Sequence, residues 1–194
     1  MSRYSENDSY VDPASGTLKN LLGIRDPSKL DAVEADLVAV RSRQLTLRQI
    51  SGRFDLAHLQ AIHKYLFQDL YVWAGQLRRV DISKGGSWFA HHAHIVSAAA
   101  YVFGQLAHEK ILAGLDLDAF SLRCAFYFGE INALHPFRDG SGRATREFLS
   151  YVAHKNGVII DWASLSQQEI VDASTESFYG RNTKLEKLIR KAIS

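Results

Sequence analysis

The segment from Leu134 to Arg146 reads Leu-His-Pro-Phe-Arg-Asp-Gly-Ser-Gly-Arg-Ala-Thr-Arg. It gathers groups suited to one kind of reaction. His135 carries an imidazole that can take up a proton near neutral pH. Pro136 biases His135 away from helical geometry, so a preceding helix should stop there. Gly140 and Gly142 can adopt backbone angles that other residues avoid, and such a turn presents successive N–H groups outward. A helix starting directly behind that turn makes it a ready anion site. Arg143 and Arg146 are three apart on one helix face, where two guanidinium groups can grip phosphate oxygens. Asp139 is a hard oxygen ligand beside them, of the kind that holds Mg²⁺ together with substrate phosphates. A base, a magnesium ligand, an anion nest and two clamps together describe nucleotide phosphate chemistry. Singly, each has a commoner explanation as a turn or a solvated side chain. Jointly, His-x-Phe-x-(Asp/Glu)-Gly-x-Gly-Arg-x-x-Arg arises by chance at roughly one start position in 10⁸ to 10⁹.

The elements around this segment are mostly helical. Asp26-Pro27 has the form of a helix start, and Leu30, Val33, Leu37 and Val40 mark its apolar face. A second helix follows Asp55, with Leu56, Leu59, Ile62, Leu66 and Leu70 as its stripe. Arg79-Val80-Asp81-Ile82 alternates polar and apolar, and Trp88-Phe89 follows a glycine-bearing stretch from Ser83 to Ser87. This predicts a hairpin within residues 79–90, too small to stand without the helices. Helical patterns return near residues 95–108, 118–133 and 142–156, with Gly157 as a stop. Ser166-Gln167-Gln168-Glu169 has capping-box form, and Asn182 is placed to cap a last helix carrying Leu185, Leu188, Ile189 and Ala192. The expected fold is mainly α: a helical bundle, with a short β-hairpin flap beside the site. It forms a single domain over residues 1–194, with an arm at 1–25 and the catalytic loop and helix start at 135–146.

Composition excludes several classes. The chain has 194 residues, of which Cys124 is the only cysteine, so it is no disulfide scaffold and suits a reducing cytoplasm. No stretch reaches the roughly 18 to 20 apolar residues of a membrane helix. The polar start, with Glu6, Asp8 and Asp12, is no secretory signal. A formal charge of +2 is too weak to advertise nucleic-acid binding.

At His135, Phe137, Asp139, Gly140, Gly142, Arg143 and Arg146 the sequence resembles the Fic family, whose motif is H-x-F-x-(D/E)-G-N-G-R-x-x-R. The likeness extends to Leu21–Asp26, to Trp73-Ala74-Gly75-Gln76, to the Asp81-Ile82 strand, to Phe89-Ala90-His91, to Asp161-Trp162 and to Ser177–Gly180, and so covers nearly the whole chain. It is closest in character to FicT-type toxins of bacterial toxin–antitoxin pairs. The resemblance implies a Fic fold and a protein adenylyltransferase. His135 would take the proton of a target hydroxyl, which attacks the α-phosphorus of ATP. Asp139 would hold Mg²⁺, while Gly140, Ser141, Gly142, Arg143 and Arg146 bind the nucleotide. Ile82, Ser83, Lys84, Gly85 and Gly86 of the flap would clamp the target. The implied partners are a target protein, namely the B subunit of DNA gyrase and the ParE subunit of topoisomerase IV, and a small antitoxin whose inhibitory helix meets Arg146. The implied location is the bacterial cytoplasm. Alternatives are another donor, Doc-like kinase activity, or a silent peptide-binding module.

Ser141 departs from the family's asparagine, which puts rate and nucleotide preference in question; Ser141→Asn is expected to preserve or raise transfer. Ser2-Arg3-Tyr4-Ser5-Glu6-Asn7 fits the family's inhibitory (S/T)-x-x-x-E-(G/N) pattern, but a helix this short is unstable unpacked. His91-His92-Ala93-His94 lacks a nearby second ligand set, and rings at 91 and 92 are expected to point apart. It reads as a flap end, with zinc as the minor alternative. Cys124 reads as core. Arg78-Arg79 is read as solvated or as orienting an acidic target. Phe178–Asn182 could wall the adenine or serve packing and capping.

Overall fold

The computed structural model describes residues 8–84 and 87–193, which form seven α-helices and one short antiparallel hairpin. Helix α1 (Pro27–Leu47) begins where the sequence predicts. Asp26 takes the N-cap and accepts a 2.7 Å bond from the Lys29 N–H. Its buried face differs from the predicted one. Leu30, Glu34, Val38 and Leu45 are buried, whereas Val40 is 56% exposed and Val33 and Leu37 are only partly covered. The stripe admits a carboxylate because Glu34 finds two partners inside the protein.

Helix α2 (Leu56–Phe67) is capped by Asp55 and buries Leu59, Ile62 and Leu66 as expected. Helix α3 (Ile95–His108) follows a single 3₁₀ turn at His92–His94. Helix α4 (Leu117–Leu134) is the centre of the bundle, packed by α3, by α5 (Ser141–Lys155), by α6 (Gln167–Phe178) and by α7 (Thr183–Ala192). Its buried residues, among them Phe120, Cys124, Tyr127, Phe128 and Ile131, lie around most of its circumference, as burial on several sides requires. Each such side chain contributes about 1.5–3 kcal/mol by leaving water. Cys124 is wholly enclosed, and burial pushes its thiol up to about 12, so it packs and does not react.

The capping box at Ser166 and Glu169 forms as predicted. Asn182 takes the N-cap position of α7 as predicted but makes no side-chain cap bond; its side-chain oxygen instead accepts a 2.5 Å bond from the Ser177 hydroxyl. The hairpin is also shifted from its predicted place. Strands β1 (Ser83–Lys84) and β2 (Ser87–Trp88) pair Ser83 with Trp88 and Lys84 with Ser87, and the Phe89 N–H donates to the Ile82 carbonyl at 3.2 Å. Residues 79–81 are not paired in a ladder because other partners engage this stem. The Arg78 N–H goes to the Pro136 carbonyl, the Arg79 N–H to the Tyr10 hydroxyl, and the Asp81 carboxylate receives the His92 N–H. Gly85 and Gly86 lie outside the described residues, as do Ser2 to Asn7.

The described part of the N-terminal arm is fastened to the body. Val11 and Leu18 form a bridge, Leu18 is buried, and the Leu21 N–H donates to the Leu70 carbonyl at 2.8 Å. Among the described residues, no helix is long and apolar enough to cross a membrane.

Candidate active site

Two helix ends and the loop between them build the site. Helix α4 stops at His135: Pro136 bars continued helical geometry there, and the residue takes the left-handed C-cap angles φ 42° and ψ 63°. This turn swings the half-buried imidazole out of the helix line onto the Phe89 ring, at 4.0 Å between centroids and 21° between planes. Phe178 meets the same phenylalanine edge-on at 5.8 Å. The His135 Nδ1 lies 3.4 Å from the Asn132 carbonyl, which points Nε2 away from the helix. Burial lowers the imidazole pKa to about 4, outweighing the upward pull of Asp139. The ring is therefore neutral at pH 7 and free to accept a proton.

Gly140 caps helix α5 with φ +76°, and a Cβ there would stand 2.3 Å from the Phe67 ring. Gly142 is different from the sequence expectation: it lies inside the helix without a positive φ, and an added Cβ would meet nothing within 4 Å. No side chain caps α5. The N–H groups of its first turn are thus left for a ligand. The Gly140 N–H is not among these, since it donates to Asp139 Oδ1 at 2.6 Å. Ser141 is buried and its hydroxyl is engaged within the loop, accepting from the Phe137 N–H at 3.1 Å and facing the Phe137 carbonyl at 3.3 Å. An asparagine amide offers the same acceptor and donor, so both residue types can brace this turn.

The two arginines differ. The Arg143 guanidinium pairs with Glu34, stacks on Phe67 at 4.7 Å and reaches Asp139 Oδ1 at 3.4 Å. Glu34 also accepts from the buried Tyr71 hydroxyl. Arg146 is half-buried, with no ion-pair partner among the described residues; burial, and then Arg143, lower its pKa. A desolvated cation facing a like charge calls for an anion. Asp139 keeps one carboxylate oxygen beyond its bond to Gly140. That suits a Mg²⁺ ion carried mainly by substrate phosphates.

Three side chains besides the motif's defining residues hold it in place. His63, wholly buried on α2, accepts from the Gly75 N–H at 2.9 Å through Nδ1 and faces the Asp139 carbonyl at 3.0 Å through Nε2. These bonds assign the proton to Nε2. Burial pushes this imidazole down to about 4, so it stays neutral, and Phe137 stacks on it at 3.8 Å. Arg138 forms a buried ion pair with Asp8, with Nε and Nη2 each 2.6 Å from Oδ2. Arg78 is neither solvated nor turned toward a target, contrary to the sequence reading. It is buried and donates to the carbonyls of His135 and Val80 at 2.8 Å, of Leu134 at 3.2 Å, and of Ala90. Of the flap residues, Ser83 and Lys84 are exposed and Ile82 is partly covered. Tyr179 is 56% exposed.

The chain matches the family model described as Fic/DOC family over residues 53–153. It is 47% identical, along its whole length, to the protein adenylyltransferase VbhT of Bartonella schoenbuchensis, of which it spans 41%. It is 36% identical over 96% of its length to a probable protein adenylyltransferase Fic of Salmonella typhimurium, of which it spans 92%. Among solved structures, the BepC protein of Bartonella tribocorum with bound AMPPNP superposes with a TM-score of 0.91 at 26% identity, covering 95% of this chain and 96% of that one. An N-terminal Fic domain of Bartonella quintana with bound ADP does so with the same TM-score at 27% identity, covering 95% and 94%. The helical bundle with its small hairpin is thus the Fic fold, and the chain belongs to the Fic/DOC family.

Proposed function

We propose that the protein transfers AMP from ATP to a hydroxyl side chain of a target protein, with pyrophosphate leaving. The names of its relatives support this reading: VbhT is a protein adenylyltransferase and the Salmonella protein a probable one. The observation that carries the reading is the geometry at one helix start. A neutral His135 stands before an α5 N-terminus that has no side-chain cap, and Arg143 and Arg146 follow on its first turns. His135 takes the proton of the attacking hydroxyl. The first-turn N–H groups of α5 meet the charge that builds on the α-phosphate, an electrostatic role in a prebuilt site. Arg143 and Arg146 hold the outer phosphates. Bound Mg²⁺, held by Asp139 and the phosphates, would supply charge neutralisation. The flap residues 82–86 hold the target's backbone by strand addition.

The test is an incubation with bacterial lysate and ATP labelled at the α or the γ phosphate. Protein-bound label from α alone is the expected result. Label from γ alone would make the protein a Doc-like kinase, and no label from either position would favour a silent binding module.

Arg146, which has no ion-pair partner among the described residues, also supports control in trans. We propose that a small antitoxin places an acidic side chain on Arg146, and that gyrase B and ParE are the targets. The inhibitory-type stretch Ser2–Asn7 lies outside the described residues. Expression without a partner is expected to arrest bacterial growth, and normal growth of cells making intact, soluble protein would overturn the toxin reading.

A further inference from the structure

The stem of the hairpin carries a second cluster of ligating groups, separate from Asp139. Asp81 lies on the ascending arm, and His91 and His92 lie on the descending one. Their ligating atoms all fall within 4.8 Å of one another. His91 Nε2 stands 3.1 Å from Asp81 Oδ2, and His92 Nδ1 stands 3.0 Å from Asp81 Oδ1. The two rings lie 4.5 Å apart at 30°, so they face the same carboxylate and do not diverge as the sequence pattern suggests. The reason is the extended His91 backbone, φ −58° and ψ 133°, directly before the 3₁₀ turn that begins at His92. That break in conformation removes the alternation a strand would impose and the rotation a helix would impose.

We propose that Asp81, His91 and His92 bind a Zn²⁺ ion that clips the two arms of the flap together. Two imidazoles and one carboxylate form a donor set of the kind that suits zinc, with a fourth position open to water. Tetrahedral bonds of about 2.0–2.1 Å put ligand atoms roughly 3.3 Å apart. Each imidazole nitrogen lies 3.0–3.1 Å from its own carboxylate oxygen, and the ligand atoms, all within 4.8 Å of one another, need only close in slightly on one ion. The carboxylate is already oriented for this role: the His92 N–H donates to Asp81 Oδ1 at 2.8 Å, and the Arg78 guanidinium lies 3.6 Å from that oxygen. Such outer contacts fix a ligand before metal arrives. Binding at His91 Nε2 moves that ring's proton to Nδ1, so the 3.3 Å bond from the Ala93 N–H is given up. All three side chains are partly or largely solvent-accessible, so an ion has an entry path. This nitrogen-bearing site differs in kind from the all-oxygen Mg²⁺ site at Asp139.

The consequence would be mechanical. A metal joining residue 81 to residues 91 and 92 closes the hairpin into a short loop and restricts the unbound flap. Clamping a target strand would then cost less ordering.

The experiment is a titration of the metal-free full chain with Zn²⁺ against a chromophoric chelator, followed by Co²⁺ absorption. One equivalent of Zn²⁺ and a tetrahedral-type Co²⁺ spectrum are expected. Asp81→Asn and the double variant His91→Gln/His92→Gln should each weaken uptake at least tenfold, and His94→Ala should leave it unchanged. Circular dichroism of the metal-free variants checks folding. If Asp81→Asn is unfolded, the double glutamine variant carries the test. Absence of saturable uptake by the wild type would overturn the proposal, as would undiminished uptake by the folded double variant.

Discussion

A His135→Ala variant is expected to lose AMP transfer by about 10²- to 10⁴-fold while keeping its helical circular dichroism, because it removes the base and little of the core. The pH dependence of the wild type should carry the same signature. An ordinary histidine near 6.5 is already half protonated at that pH. His135 is held near 4 by burial, so its base form persists well below neutrality. The rate limb due to this residue should stay flat from pH 8 down to about 5 and fall only as the pH approaches 4. The measurement is kcat/KM across that range, with unfolding followed in parallel. A midpoint near 6.5 in a folded protein would mean that water reaches His135 and that burial does not hold its pKa down.

Gly140→Ala should be the most damaging single-methyl change in the site. Two effects act together. The residue sits at φ +76°, where an L side chain is strained by about 1–2 kcal/mol. Its new Cβ would also stand 2.3 Å from a Phe67 ring that is itself fully buried and stacked on His63 at 4.6 Å. Phe67 cannot retreat without moving His63, and His63 holds the Asp139 carbonyl. Overpacking of this kind adds about 1–3 kcal/mol. A total loss of roughly 2–5 kcal/mol is expected in urea denaturation, together with lost transfer activity. Gly142→Ala is the internal control. Its Cβ meets nothing in the protein, so stability should hold; a drop in transfer there would report crowding against the bound nucleotide.

These contrasts show what the sequence made legible. The helix starts at Asp26, Asp55 and Ser166 were readable because capping is local chemistry, as was the stop at His135-Pro136. The motif residues were readable because they are adjacent in the chain. The residues that hold the motif were not. His63 lies on the predicted apolar face of α2 between Ile62 and Leu66, and that position was its one available signal: a polar ring on a buried stripe must find partners. Glu34 gave the same signal on α1, four residues after Leu30, but it was masked by Val33 and Leu37. Arg78 gave none, since its carbonyl partners come from residues 80, 90, 134 and 135 and meet only after folding. The shift of the hairpin to Ser83 has the same origin, because long-range partners engage the stem that alternation had assigned to a strand. Asn182 was readable as the start of α7, but its side-chain oxygen serves Ser177 on the neighbouring helix and not the cap.

The Arg78 guanidinium has a consequence for how such an enzyme can change its choice of target. One rigid planar group grips the last turn of α4 and both arms of the hairpin at their base. Under the proposed reaction, the alignment of an incoming hydroxyl with His135 would be set at the stem, by backbone atoms held through Arg78, and not by the side chains at the tip. Substitutions at Ser83 and Lys84 would then alter which target is read while the stem keeps its aim. On that reading, target choice and chemical competence would be separable within one short loop.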